Sequence, residues 1–169
     1  PPPPPPPPPL FGRCNTTHGL LPFTASPTYY RQTSLFFGMY VIEYCFIINS
    51  VPEDRILPST CYKANDPLAK MELYANETLR SAVKGFYVKA AGSSSRTVLA
   101  SWGPQGTNTL KVNLNWADEE ANGSVVCVAI QKPYTMDDLC LGAPGQCIVS
   151  LFNRDIGDSC CPFFSTTSI

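Results

Sequence analysis

Two cysteines stand side by side near the end of the chain, Cys160 and Cys161, and no other feature limits the fold so sharply. A disulfide between neighbours would strain the peptide that joins them, so each must pair elsewhere and the end of the chain must be tied to two separate places. Cys14, Cys45, Cys61, Cys127, Cys140 and Cys147 complete an even set of eight. Such a set is expected where disulfides survive, outside the cytosol. Zinc is the competing chemistry, and it needs close ligand pairs such as C-x-x-C. Here the near neighbours are Cys160 and Cys161 alone, and His18 is the single histidine. The adjacent pair also lacks the C-x-x-C spacing of a redox site.

Five of the eight cysteines fall in residues 127–161, so that stretch is the part around which the rest is organised. Cys140 and Cys147 flank Leu-Gly-Ala-Pro-Gly-Gln, whose turn residues bring its ends together, and they are expected to pair. Cys45 with Cys61 is the corresponding local expectation, which leaves Cys14 and Cys127 for the terminal pair. Each bridge is worth about 2–4 kcal/mol.

The other limiting feature is the start. Pro1, Pro2, Pro3, Pro4, Pro5, Pro6, Pro7, Pro8 and Pro9 form an unbroken run, half of the eighteen prolines in the chain. Each proline fixes its own φ and keeps its predecessor out of the helical region, so the run is polyproline II. At about 3.1 Å per residue it reaches roughly 28 Å, a semi-rigid spacer. The chain begins inside this run with no signal peptide, as expected of a fragment or a processed form. A formal net charge of −1 leaves no positive field for nucleic acid or anionic lipid. The most apolar stretch, residues 35–49, is interrupted by Glu43 and is shorter than the ~20 residues a bilayer requires.

Residues 10–30 read as irregular, with at most one short strand near 20–23. Residues 35–49 are β-branched and aromatic, hence a strand buried on both faces or two strands run together, with Gly38 as a candidate bulge. Residues 70–74, 84–90 and 96–102 alternate, the last two as a hairpin through Ala91-Gly-Ser-Ser-Ser95. In residues 109–116, Leu110, Val112, Leu114 and Trp116 take one face and Lys111, Asn113 and Asn115 the other. Residues 117–122 are a loop or one helical turn, and 125–130 and 148–152 are apolar strands. Thr135 starts a short helix as N-cap, with Asp138 three residues on. The expected fold is an all-β, disulfide-bonded antiparallel β-sandwich with one short helix, preceded by the polyproline II segment. Its divisions are a rod over 1–9, a domain over 10–162 and a C-terminal tail over 163–169.

N-x-[ST] sequons occur at Asn15, Asn76 and Asn122, as in a secreted glycoprotein. Acidic residues cluster at Asp118, Glu119 and Glu120 and again at Asp137 and Asp138. Paired carboxylates serve glycosidases or bind calcium, but these clusters fall in a turn and at a helix start, where acids meet the helix dipole favourably. His18 has no nucleophile motif beside it. Trp102 and Trp116 are of the type that stacks on sugars, yet both sit at strand positions that fit a core. The residues therefore propose no reaction, no catalytic group, no metal and no cofactor.

Lys70-Met-Glu-Leu, Ser101-Trp102, Leu110-Lys-Val-Asn-Leu-Asn115, residues 123–127, Asp138-Leu-Cys140, Gly145-Gln-Cys147, Leu151-Phe-Asn153 and Cys160-Cys-Pro162 succeed one another as in the pherophorin domain, which the chain resembles over residues 11–162. The resemblance implies an extracellular-matrix glycoprotein of the volvocine green algae. It implies secretion, with Pro1 to Pro9 hydroxylated and O-glycosylated. It also implies a structural role in a matrix, cell wall or cell-surface appendage, with other hydroxyproline-rich glycoproteins or matrix glycans as partners in a larger assembly. A sex-inducer-like signalling or glycan-binding glycoprotein is the alternative. The chain departs from the family pattern near Cys14, near Cys61 and at residues 76–79, where the family carries further cysteines.

Overall fold

The computed structural model describes residues 14–153 and 160–169; the proline run expected as polyproline II lies outside the described residues. Ten strands occur among the described residues: β1 (Phe23–Phe36), β2 (Met39–Ser50), β3 (Leu68–Tyr74), β4 (Val83–Lys89), β5 (Arg96–Val98), β6 (Ser101–Trp102), β7 (Thr109–Trp116), β8 (Ser124–Gln131), β9 (Gln146–Phe152) and β10 (Phe163–Ser168). They form one sheet in the order β5-β4-β8-β2-β1-β10-β9-β3-β7-β6. Neighbours are antiparallel except β1 and β10, which run parallel. Two four-residue helices, α1 (Asp118–Ala121) and α2 (Met136–Leu139), complete the regular structure with two short 3-10 segments, where one helix was expected. No described helix is long and apolar enough to cross a membrane.

The chain is mostly β, as its alternation implies, and hydrogen bonding runs unbroken through all ten strands. The sheet must curl. Its two edges, β5 and β6, are separated in sequence by Leu99 and Ala100 alone, a link that reaches about 10 Å when extended. In a flat ten-stranded sheet the edges would stand roughly 43 Å apart at about 4.8 Å per strand. Arg96 on β5 accordingly donates from Nη2 to the Leu114 carbonyl on β7, at 3.4 Å. The expected hairpin over 84–102 is therefore only half right: β5 pairs with β4, but Trp102 belongs to β6 and pairs with β7 at the opposite edge.

Curling encloses a single core to which both halves contribute, including Phe23, Phe46, Phe86, Val128 and Ile130 from one half and Met71, Leu73, Leu110, Trp116 and Leu151 from the other. Fully burying a side chain of this size is worth about 1.5–3 kcal/mol. On β7 the predicted face is the buried one, Leu110, Val112, Leu114 and Trp116.

Three expectations are corrected. Residues 35–49 are two strands, the second of the two alternatives, but Gly38 is no bulge: Phe37 and Gly38, at φ +51° and +78°, make a two-residue hairpin turn between Phe36 and Met39. Two successive positive φ values match the twist of the flanking strands, and the apolar residues on either side conceal the turn from a periodicity reading. Residues 23–30, expected to be irregular, belong to β1. Their signal is broken by Pro27, which sits in the register shift between Ala25 and Tyr29, where the ladder needs no N–H donor. Residues 163–168 are no tail, because β10 pairs with β9 on one side and β1 on the other and joins the two halves of the sheet.

Candidate functional site

The eight cysteines form four bridges: Cys14–Cys161, Cys45–Cys127, Cys61–Cys160 and Cys140–Cys147. Cys160 and Cys161 do reach two separate places, and the six-residue loop closes between Cys140 and Cys147. The expected Cys45–Cys61 pairing is overturned, and with it the assignment of Cys127 to the terminal pair. Cys45 and Cys127 are direct register partners on adjacent strands β2 and β8, so nearness in space comes from the sheet and not from the sequence. Cys61 lies instead in the loop held by Asn153, whose Nδ2 donates to the Cys61 carbonyl at 2.8 Å. His18 bonds the Phe163 carbonyl through Nε2 and stacks on Phe164 at 4.7 Å, which fixes the N-terminal segment to β10 beside the Cys14–Cys161 bridge.

The Cys45–Cys127 bridge lies on the face of β2 and β8 turned away from the core, at the floor of a groove of about 390 Å³. Two rows of register partners build it. One runs Tyr30, Cys45, Cys127, Tyr87 and the other Gln32, Glu43, Ala129, Gly85, each crossing β1, β2, β8 and β4. Ala129 and Gly85, at the end of the second row, lie under the Phe36 ring. At Gly85, φ +145°, a Cβ would stand 2.7 Å from the Phe36 ring, so only glycine lets the ring close over that end of the face. Phe36 in turn meets Phe37 and Tyr87 edge-on, at 4.8 and 5.1 Å. Tyr87 donates its hydroxyl to the Leu35 carbonyl at 2.8 Å, which holds its ring against the groove wall.

Glu43 is the groove's one carboxylate, and it is 2% exposed. Its Oε1 accepts from Gln32 Nε2 at 2.9 Å, while Oε2 has no hydrogen-bond partner among the described residues. Glu43 clusters with Cys45 and Cys127 at distances compatible with a metal ion. Both sulfurs are bonded to each other, however, so the trio offers one carboxylate and no thiolate. Of Tyr30, Gln32, Glu43 and Tyr87, the sequence singled out Glu43 alone. The one available signal was the charge that interrupts the apolar run of residues 35–49.

The residues singled out from the sequence are dispersed. Asn15 and Asn122 are exposed and Asn76 is half-buried. Asn76 Oδ1 accepts from the backbone and hydroxyl of its own sequon residue Thr78, at 3.1 and 2.7 Å. Asn122 Oδ1 accepts from Ser50 N at 3.0 Å. The acids serve helix starts: Glu120 accepts from Ala117 N at 3.1 Å and Asp138 from Thr135 N at 2.8 Å. Asp118 accepts from the Tyr62 hydroxyl at 3.3 Å, and Tyr62 also reaches Glu53 at 3.2 Å. Burial, then the charges of Glu53 and Glu119, hold the Asp118 carboxyl above its ordinary range against the opposing Tyr62 hydrogen bond. Trp116 is core, 3% exposed, and half-buried Trp102 lies under the Arg80 guanidinium at 5.7 Å, so neither is an open sugar platform.

The family model described as Pherophorin matches residues 7–162. The chain belongs to the pherophorin family. Perphorin-2 of Volvox carteri is 57% identical over 154 residues, 90% of this chain and 32% of that protein. Perphorin-1 of the same alga is 33% identical over 73% of the chain and 24% of its own length. The sexual inducer glycoprotein of Volvox carteri is 33% identical over 94% of the chain and 76% of that protein. No solved structure matches the chain. Pherophorins are a family of extracellular-matrix glycoproteins, and no enzyme family is indicated. The chain spans about a third of perphorin-2 and a quarter of perphorin-1. The pherophorin match ends at residue 162, one residue before β10 begins, although the sheet is continuous only through that strand.

Proposed function

We propose that this pherophorin domain is the secreted globular head of a structural matrix glycoprotein, with the proline run as spacer and the head making lateral contacts to other hydroxyproline-rich chains or matrix glycans. In this reading the curled sheet acts as two facing layers of a sandwich, and Asn15 and Asn122, both exposed, carry glycans. The observation that supports it best is the family match over residues 7–162 together with bridges that fasten both ends of the domain. Such a molecule resists unfolding outside the cell, where no chaperone restores it.

The test is assembly. The glycosylated protein, purified from a secreting host, is expected to sediment as a concentration-dependent oligomer or to be retained by matrix extract. A monomer at high concentration that binds no extract rejects the structural role. The likeness to the sexual inducer glycoprotein, which covers nearly the whole chain, favours a second reading as a diffusible signal. A monomer that triggers a developmental response at low concentration selects it.

A further inference from the structure

The buried Glu43 carboxylate is an expense for the domain unless something uses it. A carboxylate removed from water needs hydrogen bonds to both oxygens, and Glu43 has a donor on Oε1 alone. It is not held there to secure the fold, because β2 and β8 are already joined at the next outward-facing pair by Cys45–Cys127. The groove above it is polar and aromatic: Tyr30 and Tyr87 stand at opposite ends of one register row, with Gln32, Ser34 and Ser95 between and beside them. Three strand spacings put those two tyrosines about 14 Å apart along the backbone. Cys127 and Val125 line the groove between them.

The chemistry selects the ligand class. A divalent cation needs several oxygen donors, and one carboxylate does not supply them. Lys89 also lines the groove, yet an anion placed over its floor would still face the buried Glu43 carboxylate. A neutral sugar has what the groove lacks: hydroxyl donors for Oε2 and an apolar ring face for the tyrosines. Gln32 is exposed, so its amide is the movable cover over the carboxylate.

We propose that the groove over the Cys45–Cys127 bridge binds a neutral saccharide, whose hydroxyls donate to Glu43 Oε2 while its ring lies between Tyr30 and Tyr87. This rests on the proposed contact to matrix glycans and names its site, and the two can fail separately, since a head that never assembles can still bind sugar. The source is a free oligosaccharide or the glycan of a glycopeptide, which share the same hydroxyl chemistry.

The full disulfide-bonded chain is probed on an array with three arms: neutral oligosaccharides, hydroxyproline-linked neutral glycopeptides, and sulfated or uronic acid oligosaccharides. Binding in either neutral arm is expected, and the arm that binds identifies the source. Glu43→Gln keeps the shape and removes the charge. It is expected to weaken that binding ten-fold or more and to leave the melting temperature equal or higher, because an uncompensated buried charge is gone. Tyr30→Ala is expected to weaken binding similarly. The proposal is overturned if the wild-type chain binds neither neutral arm, if it prefers the acidic arm, or if Glu43→Gln binds as wild type. A Glu43→Gln chain that melts much lower than wild type overturns it as well, since Glu43 would then be serving the fold.

Discussion

On the half of the sheet formed by β10, β9, β3 and β7, buried polar side chains find partners within the chain. Lys70 pairs with Glu72 at 3.6 Å and lies over the Phe152 ring at 4.7 Å. Ser150 donates to the Pro162 carbonyl at 2.9 Å, and Asn153 donates to both Cys61 and Asp66, at 2.8 and 3.0 Å. On the half formed by β1, β2, β8 and β4, Glu43 Oε2 and Ser124 Oγ are buried without one. The same half ends in a hairpin tip where Leu35, Phe37, Met39 and Tyr40 are exposed, Phe37 at 78%. The first half carries two bridges that tie distant parts of the chain, and the second carries one bridge under a groove. The difference separates the two halves: one is satisfied internally, and the other leaves a buried carboxylate oxygen under a groove and apolar side chains exposed at a hairpin tip.

The severest way to break this division is to remove the strand that joins the halves. A chain ending after Pro162 retains every cysteine but loses β10, and it is expected to lose cooperative urea unfolding and near-ultraviolet circular dichroism altogether. A native-like transition would mean that the halves fold without being joined.

A milder test compares bridges. Replacing Cys61 and Cys160 by serine opens a loop with a separation of 99, and replacing Cys140 and Cys147 opens one of 7. Chain entropy gives losses of about 4–5 and about 2–3 kcal/mol respectively, read as the difference in urea midpoints. Equal losses would show that the first half draws its stability from packing and not from the long-range bridge.

The smallest effect expected is electrostatic. Asp118 is held above its ordinary value of 3.8, so the folded chain binds more protons than the unfolded one in that interval. The stability it contributes is fully present below pH 3.8 and is lost as pH rises through the folded value. Asp118→Asn should flatten that decline, measured as melting temperature against pH. An unchanged profile would place the titration elsewhere.

Most of the strands were legible because a half-buried strand alternates, as β7 does from Leu110 to Trp116. The curl was not, because β5 and β6 read as one strand and nothing local says that Val98 and Trp102 go to opposite edges. Cysteine pairing was legible for the short Cys140–Cys147 loop and for Cys14 with the terminal pair, but not for Cys45, Cys61 and Cys127. The groove was hidden for the same reason as Cys45–Cys127: its residues are neighbours across strands, and register between strands far apart in sequence depends on the whole hydrophobic pattern. Glu43 alone left a trace, as a charge in an apolar run.

Cys14 and Cys161, joined across a separation of 147, also determine how the molecule behaves when it is pulled. Tension entering from the proline run reaches Cys14 first and crosses the covalent bridge directly to Cys161. The residues between them, with nine of the ten strands and the groove, are excluded from the line of force. In the proposed matrix role, load passed on through the C-terminus would bypass β1 to β9 and fall on β10, the strand that joins the two halves of the sheet.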